Sequence, residues 1–349
     1  MSGIFVRGLG AVSPAGWGVA PLLAALRGGE PLPVQSLPGP MAHRTYPGRT
    51  VPAPVTRPNW LAHPRLRRAS AITHFALGAA LEALGSSAAP PPSSPRLGIV
   101  TGTHAACLRY SERFFGEVLR DPPTASPLLF PETVINAPAS HLAAFLGGAE
   151  LTYSLIGDQT AFVQALAVAA DWLLERRVDL CLVVGTEEFA WPVADALRRF
   201  ARGLIASEGA GALVLAREPG NGPGLRLELI TNAHLHACSD TRYAAAHALR
   251  RDFPHESPRE LLVDARCGVP RVDQAETAAW QGWSGLRLSP RAVLGEGLAA
   301  ATAWQCVAAC AALTAREADA ANVSVIGGNQ QAIGVRFAAG LPQASLQDT

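Results

Sequence analysis

The chain contains no lysine: all 29 of its basic side chains are arginines. A Schiff-base lysine, a phosphate-loop lysine and a Ser-x-x-Lys nucleophile pair are therefore excluded. Charge of either sign is sparse, at 16% of residues, and 28 acidic side chains leave a formal net charge of +1. That balance carries no electrostatic footprint for nucleic acid or an anionic membrane. Cys-x-x-Cys spacing is missing as well. The six cysteines, at 107, 181, 238, 267, 306 and 310, sit mostly inside apolar runs, as reduced thiols of a cytoplasmic protein do, and neither a disulfide framework nor a bound metal is expected. The one uncharged stretch approaching membrane length, 297–315, is mostly alanine broken by Thr302, Gln305 and Thr314, which predicts a buried core helix. Residues 1–10 lack a long apolar run and a cleavage-like ending, and read as part of the mature fold.

What is present is apolar. Of 349 residues 49% are hydrophobic, enough for a large core. Strand-like segments at 3–9, 97–101, 151–156 and 178–185 alternate with helical ones at 19–27, 70–84 and 160–174, whereas the Pro-rich stretch 31–64 reads as an irregular surface excursion and a second Pro/Ser loop precedes 97. The same grammar recurs with strands at 225–230, 261–263, 323–326 and 332–337 around a helix at 297–313. Each half holds one helix apolar nearly all round followed by a buried strand, and such a helix belongs between two covering layers. The expected fold is α/β, a five-layered α-β-α-β-α sandwich of two pseudo-repeated halves, 1–219 and 220–349.

Glu208 stands among small residues in Gly203-Leu204-Ile205-Ala206-Ser207-Glu208-Gly209-Ala210-Gly211, directly before an apolar strand. A carboxylate there needs backbone donors or a charged partner. This run resembles the Gly-Glu-Gly-Ala-Gly strand start of β-ketoacyl synthases, condensing enzymes of the thiolase-like superfamily. Other blocks resemble that family in order: Val6 to Pro14, where Gly8-x-Gly10 lacks the third glycine of a dinucleotide fingerprint; Pro127 to His141, with Pro131 and Asn136; Asp179 to Glu187; Asp264-Ala265 followed by Asp273 and Glu276; and Ser289 to Ala301. The resemblance spans nearly the whole chain, which is shorter than typical members between Glu187 and Glu208 and before Leu261.

The resemblance implies a nucleophilic cysteine at the N-terminus of the first buried helix and two histidine donors for the enolate-like oxygen formed on decarboxylation. Counting without a gap from the flanking blocks places Gln159 at the cysteine; a count from the glycines near Gly147 shifts the register to Gly157 or Asp158, and no cysteine lies nearby in any register. Arg266 falls at the first histidine, Glu296 at the second and Arg291 at the family's lysine. Gln cannot form a thioester, and an ionised Glu296 would repel an enolate. Gln159, Arg266 and Glu296 are expected to hydrogen-bond to one another as a filled-in site, because isolated burial of either charge would cost several kcal/mol.

Such degeneracy resembles the chain length factors of type II polyketide systems. That resemblance implies a non-catalytic subunit without a cofactor, paired with a catalytic ketosynthase and meeting acyl carrier protein through the complex, and it would place Ala105, Leu129, Phe130 and Thr133 at the closed end of an acyl tunnel. Two alternatives stay open: a ketosynthase-like malonyl-carrier decarboxylase making starter units, and a homodimeric acyl- or carrier-binding module. Lesser candidates are His234-Leu235-His236-Ala237-Cys238, alternating metal-capable side chains without a fourth ligand in sequence; His104 and Cys107 as a nucleophile pair, against a packed helix start; and Trp280, Trp283 and Trp304, read as core and rim.

Overall fold

The computed structural model describes residues 3–41, 43–85, 95–219, 224–254, 259–328 and 330–340. In chain order the first half runs β1 (Phe5–Ser13), β2 (Gly16–Trp17), α1 (Val19–Gly28), β3 (Gln35–Pro38), β4 (Thr45–Arg49), α2 (Ala71–Ala83), β5 (Leu97–Thr103), α3 (Leu108–Arg120), α4 (Ala137–Phe145), β6 (Leu151–Ile156), α5 (Ala161–Leu174), β7 (Leu180–Glu187), α6 (Trp191–Phe200), β8 (Ala206–Ser207) and β9 (Gly209–Ala216). The second continues with β10 (Arg226–Ile230), β11 (His234–Leu235), α7 (Ser239–Asp252), β12 (Glu260–Val263), α8 (Pro270–Ala279), β13 (Leu286–Leu288), α9 (Pro290–Leu294), α10 (Ala299–Thr314), β14 (Ala320–Ile326) and β15 (Gln331–Ala338). The expected boundary at 219/220 falls against residues 220–223, outside the described residues, as does most of the Pro/Ser loop before β5.

Hydrogen bonding runs in the order β6-β5-β7-β9-β1-β10-β15-β14-β12-β13. The two halves of this path follow one pattern. Three parallel strands, β6-β5-β7 or β13-β12-β14, continue into antiparallel β9 and β1 or β15 and β10. They join at a corner where β1 meets β10 through Phe5 and Arg226. In each half the helix preceding the third parallel strand, α5 or α10, packs between the sheets, while α2 and α4 cover one outer face and α7 and α8 the other. This is the α-β-α-β-α sandwich.

Why α10 can lie there follows from its composition. Residues 299–313 are all buried, and its alanines let strand backbones approach closely. Gly185 of β7 and Gly211 of β9 complete the fit, since a Cβ on either would press into Ala303. The polar residues that make 297–315 a poor membrane segment are satisfied internally. Trp304 Nε1 donates to the Val12 and Ala210 carbonyls at 3.1 and 3.0 Å, and Gln305 Nε2 to the Asp264 carbonyl at 2.6 Å. Among the described residues no helix is long and apolar enough to cross a membrane. The glycines of Gly8-x-Gly10 likewise serve packing: a Cβ there would meet the Ala83 and Ala79 carbonyls of α2.

One expectation fails. The stretch 31–64 is not simply irregular: β3 and β4 pair antiparallel, and β4 pairs parallel with β8, making a three-stranded sheet. Pro38 ends the edge strand β3, and Pro47, although in the central strand β4, precedes Gly48 and Arg49, the two residues that pair with β8. The partner that orders β4 is more than 150 residues away in sequence, so no local pattern announces it.

Candidate functional site

The N-terminus of α5, the turn between β14 and β15, and the loop before α10 converge on one cavity of about 370 Å³. Gln159, immediately before α5, lies in its wall and is only 4% exposed. Its Oε1 accepts from Gly328 N at 2.9 Å, and its carbonyl accepts from Thr302 Oγ1 of α10 at 2.6 Å. Asp158 accepts from Thr160 N and Oγ1 at 3.0 and 2.7 Å, and Thr160 Oγ1 in turn accepts from Gln331 Nε2 at 2.8 Å. The start of the first central helix is thus tied to both the second central helix and β15.

The other wall is built by α6, which turns Val193, Leu197 and Phe200 toward the cavity, with Leu204, Val272 and Ile326 beside them. Arg242, one turn into α7, donates to the Gly327 and Gly328 carbonyls at 2.9 and 3.4 Å. Burial, then the nearby Arg291, lowers its pKa. Arg271, at the start of α8, Arg291, Ser239 and His104 complete the polar lining. His104 Nδ1 lies 2.9 Å from the Gly157 carbonyl.

The expected cluster of Gln159, Arg266 and Glu296 is not formed. Arg266 Nε donates to Asp264 Oδ2 at 2.7 Å and its NH2 to Ser289 Oγ at 3.1 Å, with about a third of the side chain exposed. Glu296 is paired with Arg291 instead, and its Oε1 accepts from Leu298 N at 2.8 Å. The physical reason is local. Arg291 on α9 is five residues from Glu296, both are buried, and Arg291 also donates to the Ala265 carbonyl. Arg266 meets the fully buried Asp264 two residues away, which would otherwise lack much of its compensating charge. Burial works against the Arg291 charge, but Glu296, Cys267 and Asp273 together outweigh it and keep its pKa raised. Leu298 sits at φ 49°, ψ −117°, a backbone region L residues rarely adopt, held by the bond from its N–H to Glu296.

Around this core the loops are tied by carboxylates. Asp273 accepts from Cys267 N and Gly268 N, both at 2.9 Å, and Glu276 from Ala265 N at 3.2 Å. Glu208 accepts from Val51 N at 3.1 Å and Phe189 N at 2.9 Å. Glu187 accepts from the His104 and Ala105 backbone N–H groups, yet burial pushes its pKa up to about 8. Burial also lifts Glu188 to about 7.

Leu129, Phe130 and Thr133 share one turn beneath α3: Thr133 Oγ1 donates to the Phe130 carbonyl at 2.7 Å, and the Phe130 and Phe114 rings lie 5.6 Å apart. Ala105 is placed beside Glu187, against a void of about 10 Å³ that Glu188, Ser207 and Glu296 also line. That volume suits one water-sized sphere and no alkyl chain. The remaining candidates separate. Cys107 is buried under Ser70 and raised to about 12, first by burial and then by the Glu188 charge, which removes it as a nucleophile. His234 pairs with Asp252 at 2.8 Å, His236 is buried, and Cys238 caps α7 with its pKa lowered by Thr241 Oγ1. Only His234 and Leu235 of that segment are strand. His141 pairs with Glu132. Trp280 and Trp304 are core, and Trp283 is partly buried against Trp280.

Sequence reasoning missed Arg242, Arg271 and the α6 wall. The Gly327-Gly328 pair was a visible turn signal, but nothing in the sequence marks which helical arginine caps it. Chemically, no cysteine lines the cavity among the described residues. Its polar equipment is an amide, guanidinium groups, an imidazole, the Ser239 hydroxyl and one carboxylate.

No family model and no curated protein matches the chain. Solved structures do. The ishigamide ketosynthase/chain length factor superposes with a TM-score of 0.80 at 21% identity, covering 97% of this chain and 100% of that one. A type II polyketide synthase acyl-carrier protein in complex with its ketosynthase bound to the hexaketide gives 0.78 at 16% identity, covering 97% and 99%. A β-ketoacyl synthase from Burkholderia phymatum gives 0.77 at 16% identity, covering 98% and 100%. The chain has the thiolase-like ketosynthase fold.

Proposed function

We propose that the chain is a ketosynthase-like subunit of a type II polyketide system that does not itself carry the growing acyl group, and that acts as a chain length factor paired with a catalytic ketosynthase. The observation that carries this reading is the start of α5. There Gln159 offers an amide where a thiolate is needed, with its oxygen already bonded to Gly328 N. Neither Arg266, spent on Asp264 and Ser289, nor Glu296, closed on Arg291, is a free donor for a developing oxyanion.

A second surface supports the partner. Among the described residues β6 pairs only with β5 and ends the sheet path, and its Tyr153 and Ile156 are 51% and 53% exposed. No residue of α3 is buried, although Phe115 and Leu119 are apolar, and Phe130 stands 56% exposed beside it. An open strand edge flanked by exposed apolar side chains is unfavourable in water unless covered, and a second subunit of the same fold offers an edge to match. Acyl carrier protein would be met through that complex. One solved relative is described as a ketosynthase/chain length factor and another as a ketosynthase bound to its acyl-carrier protein, which agrees with this assignment. Co-expression with an intact type II ketosynthase followed by size exclusion tests it: a one-to-one heterodimer is expected, and a stable homodimer that ignores the ketosynthase would overturn the reading.

A further inference from the structure

Two buried polar atoms are left over where β8 meets the loop before α10. Glu188 and Ser207 are 4% and 5% exposed, and among the described residues neither Glu188 Oε1 nor Ser207 Oγ has a hydrogen-bond partner. Both side chains line the void of about 10 Å³ that Ala105, Ala206 and Leu298 help to enclose. A buried oxygen that gives up solvent without a replacement bears the full desolvation penalty of that group, so two of them on one void call for a shared partner. The other carboxylate oxygens around it are committed. Glu187 accepts from the His104 and Ala105 N–H groups, Glu296 is held by Arg291 and Leu298 N, and Glu188 Oε2 accepts from Ile72 N at 3.4 Å. The frame is fixed as well, because Ser207 N donates to the Glu296 carbonyl at 2.9 Å and Glu296 N to the Ile205 carbonyl at 2.8 Å. Arg109 favours the charge on Glu188 but leaves Oε1 without a hydrogen bond.

We infer that this void is a binding site for a single water molecule, which bridges Glu188 Oε1 and Ser207 Oγ. Size and chemistry agree, since a void of about this volume holds one water and an internal water takes about two to four polar partners. Water donates to Glu188 when the carboxyl is ionised and accepts from it when it is protonated, and the Ser207 hydroxyl can do either. A metal ion fits worse: among the described residues no group of three or more His, Cys, Asp or Glu side chains is arranged to hold one. Glu188 also stands in the wall of an open cleft with Ser70, His74, Arg109 and Tyr110, which leaves water a way in past one side chain. An apolar group pushed past Ala105 would expel the water and strand both oxygens, so the bridge makes this end of the interior polar as well as small. The inference goes beyond the pairing proposed above and concerns this chain alone, so its failure in a chain that still pairs with a ketosynthase would leave that reading intact.

A crystal structure of the full chain, at a resolution that shows internal waters, tests it. One spherical peak is expected in the void, about 2.5–3.2 Å from both Glu188 Oε1 and Ser207 Oγ. Ser207→Val has a branched side chain that suits a strand, fills the void and removes the hydroxyl, and the peak should vanish. The double variant Glu188→Leu/Ser207→Ala removes both polar partners without filling the space. An apolar void stays dry, so the peak should vanish there too, with folding of each variant checked by circular dichroism. A wild-type void without density, a peak with ligand distances of about 2.0–2.4 Å that mark a metal ion, or a peak that persists in the folded double variant overturns the assignment.

Discussion

Glu296→Gln isolates what the buried Arg291–Glu296 pair contributes. Arg291 retains 4% of its side-chain exposure and Glu296 none, so neither charge is solvated by bulk water. Glutamine keeps an oxygen for Leu298 N but removes the only acidic side chain in direct contact with Arg291 among the described residues. Removing one member of a buried pair costs about 3–5 kcal/mol, because the other charge stays buried without compensation. At roughly 2 °C per kcal/mol for a chain of this size, the thermal midpoint should fall by about 6–10 °C. Adding Arg291→Met removes the stranded charge, and the double variant should recover most of the loss, since apolar replacement of a whole buried pair is often neutral. Thermal unfolding followed by far-UV circular dichroism of the wild type, both single variants and the double variant completes the cycle. If Glu296→Gln unfolds within about 1 kcal/mol of wild type, the pair does not hold the α9–α10 loop and the account of a closed site is wrong.

Gln159→Cys places a thiol at the N-terminus of α5, which favours its ionisation. It should accept an acyl group from an acyl carrier, seen as a mass increment, while condensation stays at least about a hundredfold below that of an intact ketosynthase because no free oxyanion donor stands opposite; efficient condensation would refute the roles given to Arg266 and Glu296. Tyr153→Arg and Ile156→Asp change exposed side chains on the β6 edge, so stability should stay within about 0.5 kcal/mol while the heterodimer is lost on size exclusion. Glu187 and Glu188 have pKa values raised to about 8 and about 7. The folded chain therefore holds protons that the unfolded chain has already released. Their contribution is fully present below the ordinary carboxylate value of 4.5 and is lost as pH rises through the raised values, so the thermal midpoint should fall between about pH 5 and pH 8 and level off above that, and Glu187→Gln should flatten that slope. If product length follows the closed end of a shared tunnel, Thr133→Trp should shorten the polyketide made by the heterodimer, read by mass spectrometry.

The sequence by itself determined the layer count and the central helices, because burial on all sides leaves a direct mark: an Ala-rich helix without charge and continuous apolar strands have nowhere else to go. It also excluded a cysteine at the start of α5, since none lies near Gly157, Asp158 or Gln159 in any register. What it could not decide was which side chains meet. Arg266 and Arg291 are equally cationic in sequence, and only the path of the chain through α9 puts one against Glu296 and the other against Asp264. The β3–β4–β8 sheet and the capping of the Gly327–Gly328 turn by Arg242 stayed hidden for the same reason. Periodicity reports the environment of a segment, whereas pairing across more than 80 residues depends on distances that exist only once both sheets have closed around α5 and α10.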